Sequence, residues 1–307
     1  MIITLGITPA VQRSMTFDRL TIDAVNRSAN VRQYASGKAV NAARVLHTLG
    51  REVTAMGLAG GFTGRFMLDD LTAAGIGHDF VEVAPPTRIC VTLIDRSTNL
   101  TTELVEESAA VPAEACEQLL VRLTAAMKTA AGCVLAGSLP VNAPADFYRR
   151  CVTACGGKFV VLDASGPPLT IALPAGPTVV KPNRRELAGT VGMDLSSPAG
   201  LKTAIGKLVD RGPKWVLVTD GPNPTTVSDG KSFWTVSSPK VEVVSPIGSG
   251  DSFAAGLAEG LARGWDVPEA ARLAVACGAA NATTDGAGFL DAPVVETVMA
   301  GVRVEPL

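Results

Sequence analysis

Apolar and polar positions along this chain follow two alternating rhythms, and the changes between them outline its architecture. Short β-branched or apolar runs at residues 2–5, 53–58, 133–136, 159–163, 178–181 and 215–219 have the length of buried strands. Stretches of helical period follow several of them, at 64–74 and 143–155, and residues 42–49 carry Val45, Leu46 and Leu49 on one stripe. This recurrence predicts an α/β fold with a parallel sheet covered by helices. Four runs end in small or polar residues: Gly137-Ser138-Leu139-Pro140, Asp163-Ala164-Ser165-Gly166, Lys181-Pro182-Asn183 and Thr219-Asp220-Gly221. Such loops gather at the C-terminal edge of an open sheet, where ligands bind.

Two places break the rhythm. Residues 13–32 and 87–106 read as pairs of exposed strands, 13–20 with 25–31 and 88–95 with 100–105, joined by polar turns without a helix. They predict a small sheet projecting from the main one and available as a flap or dimer surface. The alternative is a set of irregular edge strands of the main sheet. With no linker or internal repeat, residues 1–307 are expected to form a single domain with these segments inserted.

Composition narrows the function classes. Among 307 residues, 47% are hydrophobic and 18% charged, the balance of a folded chain rather than a disordered one. Lys and Arg total 27 against 29 Asp and Glu, without a basic run, so a nucleic-acid surface is not expected. The six cysteines lie in apolar segments without C-x-x-C spacing and read as reduced core thiols. With only His47 and His78, a histidine-rich metal site is not expected either. No signal-peptide pattern or membrane-length apolar run is present, so the expected location is the cytoplasm, with no membrane partner.

The strongest candidate for chemistry is Gly248-Ser249-Gly250-Asp251, between the β-rich Val243-Val244 and an Ala/Leu-rich helical stretch. Small residues leave the first helical amides free to hold an anion, and an adjacent carboxylate can take a proton from an attacking hydroxyl. That combination suits phosphoryl transfer, while an ordinary Asp-capped helix is the structural alternative. Ser36-Gly37-Lys38-Ala39-Val40-Asn41 is a second small-residue turn at a helix mouth. Its Lys38 and Asn41 suit a polyhydroxylated ligand, or serve only as a solvated cation and a first-turn Asn. Asn183 and Glu186, three apart on a first helical turn, could hold magnesium through water or simply cap the helix. Neither a P-loop nor a dinucleotide fingerprint is present, so any nucleotide binds by another design.

In their order and spacing, these segments resemble the ribokinase-like PfkB carbohydrate kinases. The resemblance is strongest to the sugar-phosphate branch of 1-phosphofructokinase, 6-phosphofructokinase-2 and tagatose-6-phosphate kinase. It spans nearly the whole chain: Thr4-Leu5 with Pro9-Ala10, Phe17-Asp18-Arg19-Leu20 with Val25-Asn26-Arg27, Ser36 to Leu49, Thr87-Arg88, Gly137 to Pro140, Val180 to Asn183 with Glu186, and Gly248 to Phe253. It implies a ribokinase-like α/β fold with a small β-lid, often a dimerisation surface, so a homodimer through the lid is expected. It further implies ATP as phosphoryl donor, Mg2+, and a sugar phosphate as acceptor. By resemblance Asp251 is the base, and the amides of Gly248, Ser249 and Gly250 form the anion hole. Lys181, Asn183, Thr219, Gly221, Gly248, Gly250 and Asn281 match nucleotide positions, with Asn183 and Glu186 on the Mg-water network. Gln12, Arg27, Gly37, Lys38, Asn41, Arg88 and Ser138 match the substrate pocket.

Departures concentrate on the sugar side. Gln12 stands where most members have Asp, Ala39 where the family has Gly, and Glu106-Glu107-Ser108 where relatives usually have Glu-Pro-Gly. The transfer machinery therefore reads as intact and the acceptor pocket as altered. Two other readings stay open: a kinase for an unphosphorylated sugar or nucleoside, and a non-catalytic sugar or nucleotide sensor.

Overall fold

A computed structural model describes residues 1–307. The main sheet has ten strands. Seven are parallel: β1 (Ile2–Leu5), β4 (Val53–Gly60), β5 (Gly77–Val83), β8 (Gly132–Ala136), β9 (Phe159–Asp163), β10 (Val179–Val180) and β11 (Trp215–Asp220). At one edge β12 (Asn223–Ser228), β13 (Phe233–Val236) and β14 (Val304–Pro306) continue it antiparallel, giving the order β14-β13-β12-β11-β10-β9-β8-β1-β4-β5.

Both faces of this sheet are buried, which is why its central strands read as apolar runs rather than alternating ones. Along β8 and β9 the side chains still alternate: Val134, Ala136 and Val161 face one core, while Cys133, Leu135, Val160 and Leu162 face the other. The first core packs against α1 (Lys38–Thr48), α2 (Gly61–Ala73), α8 (Ser249–Ala262), α9 (Val267–Ala282) and α10 (Ala292–Gly301). The second lies beneath α3 (Ala113–Ala126), α4 (Phe147–Ala154), α5 (Gly166–Ala172), α6 (Arg184–Val191) and α7 (Pro198–Val209). The α8 helix is buried along most of its length. Gly256 and Gly260 allow this, because a Cβ at either would lie 2.9 Å or closer to atoms of α9.

A separate four-stranded sheet, in the order β3-β2-β6-β7, comprises β2 (Ala10–Phe17), β3 (Asn30–Ser36), β6 (Arg88–Asp95) and β7 (Leu100–Val105). The latter pair falls where the sequence places it. The former does not: its strands end at Phe17 and begin at Asn30, rather than spanning 13–20 and 25–31. The side chain of Asn26 explains the difference by binding the backbone of Thr21 in both directions and the carbonyl of Ala24. Residues 21–26 therefore close on themselves and leave no ladder to extend. Val243 and Val244 likewise belong to no strand; the amides of Val244 and Ser245 both donate to the Ala282 carbonyl at the end of α9. No helix is long and apolar enough to cross a membrane.

Candidate active site

The C-terminal ends of β9 and β10 meet the N-termini of α1, α6 and α8, and the charged groups converge there. At their centre is Asp163, the last residue of β9, with 1% of its side chain exposed. Its carboxylate lies 3.2 Å from Lys38 Nζ and 3.4 Å from Lys181 Nζ. Burial alone would raise its pKa, but Lys181 and Lys38 outweigh that and hold it below the usual carboxylate range. Lys38, chiefly through Asp163, is in turn held above the normal lysine range, and also lies 3.8 Å from Glu186. Lys181 is buried beside α8, where its ammonium would stand 3.6 Å from a Cβ at Gly250.

Asp251 sits in the first turn of α8 with 8% exposure. Burial, with a contribution from Asp163, pushes its carboxyl up to about 6 against the pull of Lys38, Asn41 and Lys181. Asn41 Nδ2 donates to Asp251 Oδ2 at 2.7 Å, while Asn41 Oδ1 accepts from Ser36 Oγ at 3.0 Å. The Ser36 bond fixes which end of the amide faces the acid. Asn41, expected on the acceptor, thus acts first on the carboxylate beside it.

Gly248 caps α8 at φ 85°, where a Cβ would come within 2.6 Å of Ala287. Beyond it, the amides of Gly250 and Asp251 have no acceptor in the protein. The Ser249 amide does, donating to the Pro246 carbonyl at 3.2 Å. Of the three amides expected to hold an anion, that of Ser249 is engaged and those of Gly248 and Gly250 are free, with the Asp251 amide free beside them. Asn281, expected at the nucleotide, is engaged within the protein. It is fully buried, its Nδ2 donates to the Ile247 carbonyl, and its Oδ1 accepts from Ser252 Oγ and the Gly288 amide. Its side chain braces the loop that leads into α8.

Asn183 and Glu186 form the reciprocal capping box that was the alternative to metal binding. The cap engages Glu186 Oε2 and leaves Oε1 facing Lys38. No group of three or more His, Cys, Asp or Glu side chains is placed to cage a metal. One available carboxylate oxygen suits Mg2+ carried on phosphates and waters, the way that ion prefers to bind. Thr219 donates its amide to Pro182 and bridges to Asn183, and Gly221 lies exposed in the turn after β11.

Toward the lid, Gly37 caps α1 at φ 104°, with no room for a Cβ against Pro9. Ser138 is exposed and lies within hydrogen-bonding range of Thr8. Gln12 is buried and donates to Thr92 across the small sheet. Arg88 donates to the carbonyls of Thr8 and Glu106 and has no ion-pair partner. Arg27 stands exposed in the loop between β2 and β3. The sequence reading missed Asp163 and Ser36 as site residues. A lone acid ending the otherwise apolar Phe159–Asp163 strand was the available signal for the first; nothing distinguished the second.

The chain is similar to several solved carbohydrate kinases. A candidate phosphofructokinase from Staphylococcus aureus is 32% identical, covering 100% of this chain and 99% of its own, with a TM-score of 0.81. Escherichia coli phosphofructokinase-2 in complex with fructose-6-phosphate is 26% identical over 97% and 98%, with a TM-score of 0.87. A candidate 1-phosphofructokinase from Thermotoga maritima shares the fold, with a TM-score of 0.91 at 22% identity over 100% and 99%. Residues 2–294 match the pfkB family of carbohydrate kinases, and the chain belongs to that family as an ATP-dependent sugar kinase.

Proposed function

We propose that this enzyme transfers the ATP γ-phosphoryl group to a hydroxyl of a phosphorylated ketohexose or a related sugar phosphate, with Asp251 as the base. The observation that carries this reading is the Asp251 carboxylate beside free α8 amides, with a pKa near 6 and two lysines at hand. A base poised just below neutrality is ionised at working pH yet basic enough to accept the hydroxyl proton. Asn41 holds the carboxylate in place while the proton moves to it. The Gly250 and Asp251 amides, joined by Lys181, face the charge that accumulates on the transferring group. Lys181, Asn183, Thr219 and Gly221 line the nucleotide side. Glu186 would orient the waters of a magnesium ion, which supplies charge neutralisation on the ATP phosphates.

On the acceptor side, Arg88 supports a phosphorylated sugar. Its guanidinium is positioned by two carbonyls but has no carboxylate to neutralise it. Gln12, Gly37, Lys38 and Ser138 would line the rest of the pocket. The outer face of the lid favours self-association: Val31, Ile89 and Leu104 project from it, exposed by 45%, 37% and 54%. A homodimer through this face would cover them. A tetrameric inhibited form is described for the E. coli phosphofructokinase-2.

The test is a Mg-ATP phosphorylation screen of fructose 1-phosphate, fructose 6-phosphate, tagatose 6-phosphate, free sugars and nucleosides, with Asp251→Asn in parallel. Turnover on at least one sugar phosphate, abolished in the variant, is expected. Turnover on uncharged acceptors alone would remove the role of Arg88, and ATP binding without any turnover would favour a sensor.

A further inference from the structure

The cleft at the base of the lid is bounded by Ile7, Thr8, Pro9, Thr87, Arg88 and Ser108, among others. Two polar atoms in its wall are buried without a hydrogen-bond partner: Arg88 Nε and Ser108 Oγ. Most buried donors in a folded protein are paired, because an unpaired one loses its water without compensation. Two on one cleft wall, one of them on a cation without an ion-pair partner, are donors suited to an acceptor-rich, negatively charged group. The acid that follows β7 does not pair with them. Glu106 turns its carboxylate to the Ile89 amide at 2.7 Å and offers Arg88 only its backbone carbonyl. Glu103, exposed on β7, makes neither a hydrogen bond nor an ion pair with the guanidinium.

The cleft is continuous with the chemistry described above. Thr8 and Pro9 line both this cleft and the neighbouring depression containing Gly37 and Lys38. The Thr8 carbonyl receives Arg88 Nη2, and the Thr8 hydroxyl lies 3.4 Å from Ser138 Oγ. Ser108 also belongs to the segment where the sequence departs from its relatives, with a hydroxyl in place of the usual glycine.

We infer that Ser108 is a specificity-determining residue of the acceptor site: its hydroxyl and the Arg88 Nε–H together bind the phosphate already present on the sugar. This rests on the sugar-phosphate reading of the acceptor. A phosphate monoester presents oxygens that accept from both donors at once, whereas a free hydroxymethyl group cannot neutralise the arginine.

Ser108→Ala and Ser108→Gly, the latter restoring the usual family residue, test the inference together with Ser108→Thr, which keeps the hydroxyl. With the sugar phosphate that the wild type turns over best, KM for that acceptor should rise about tenfold or more in the Ala and Gly variants. The kcat and the KM for ATP should stay within about twofold, and the Thr variant should retain a near-wild-type acceptor KM. Inhibition by inorganic phosphate, competitive with the acceptor, should weaken in parallel. An unchanged acceptor KM in both Ala and Gly variants overturns the role of Ser108 while leaving the sugar-phosphate reading intact. Equal loss toward ATP and acceptor overturns it as well, marking a general disturbance of the fold. Failure of the wild type on every sugar phosphate removes the underlying reading instead.

Discussion

The mouth of α8 and the base of the lid both gather polar and charged groups, but they hold them differently. At α8 the charged and amide side chains hold one another in a network, and what stays unpaired is the Ser249 hydroxyl and the first helical amides. Asp163 holds two lysines, Ser36 orients Asn41, Asn41 holds Asp251, and Asn281 ties three separate backbone or side-chain groups. At the lid, Arg88 and Ser108 retain unpaired atoms, and the strands beyond them end in exposed loops. The first fixes the geometry that the proposed phosphoryl transfer needs. The second leaves donors for whichever acceptor arrives, so specificity changes there cost the transfer machinery little.

The contrast breaks most sharply at Asp251. Asp251→Asn should lower kcat by about 10³-fold or more while the chain still folds, measured by steady-state turnover beside a thermal melt. Burial also sets the sign of its effect on stability. Its pKa is higher in the folded chain than in the unfolded one, so its stabilising contribution is full below about pH 4 and is lost as pH rises to about 6. The Asn variant should therefore melt higher than the wild type near pH 8, and lose that advantage below about pH 4. Gly248→Ala attacks the same region through the backbone. A Cβ meets Ala287 at 2.6 Å and the φ of 85° disfavours it, so kcat should fall about 100-fold with a lower melting temperature.

Asp163→Asn sharpens the comparison further. Removing that charge takes away repulsion on Asp251 and frees Lys38 and Lys181 to act on it, and both changes lower the pKa of the base. The acid limb of kcat/KM, expected near pH 6 in the wild type, should move downward, with kcat reduced about tenfold by the loosened lysines. On the lid side, Arg88→Ala should raise the KM of a sugar phosphate about tenfold or more and leave that of ATP within about twofold. The smallest effect belongs to the outer lid face. Leu104→Lys should lower the oligomeric state by sedimentation with little change in activity per chain, and an unaltered state would place any interface elsewhere.

How far the sequence could be read differs between the same two regions. The strand-helix alternation and the boundaries of Phe159–Asp163, Arg88–Asp95 and Leu100–Val105 were legible because both depend on local patterning. The first lid pair was not, since a single Asn26 side chain overrides the strand propensity of Val25. At the site, Gly248 to Asp251 stood out as a motif. The engagement of the Ser249 amide and the burial of Asn281 did not, because each depends on partners brought in from elsewhere in the chain. Asp163 escaped for a related reason: a buried acid has meaning only once the lysines from α1 and the end of β10 converge on it.

The six thiols carry a consequence of their own. All are free and buried, one in the lid (Cys90), four in the core beneath α3 to α7 (Cys116, Cys133, Cys151 and Cys155) and one in α9 on the opposite face (Cys277). Burial raises the thiols of Cys90, Cys116, Cys133, Cys151 and Cys277 above the ordinary cysteine range, so little reactive thiolate exists while the fold is closed. An alkylating reagent must therefore wait for the chain to open, and the position it marks identifies the layer that opened. The native cysteines constitute an address system for local unfolding, one that needs no engineered label.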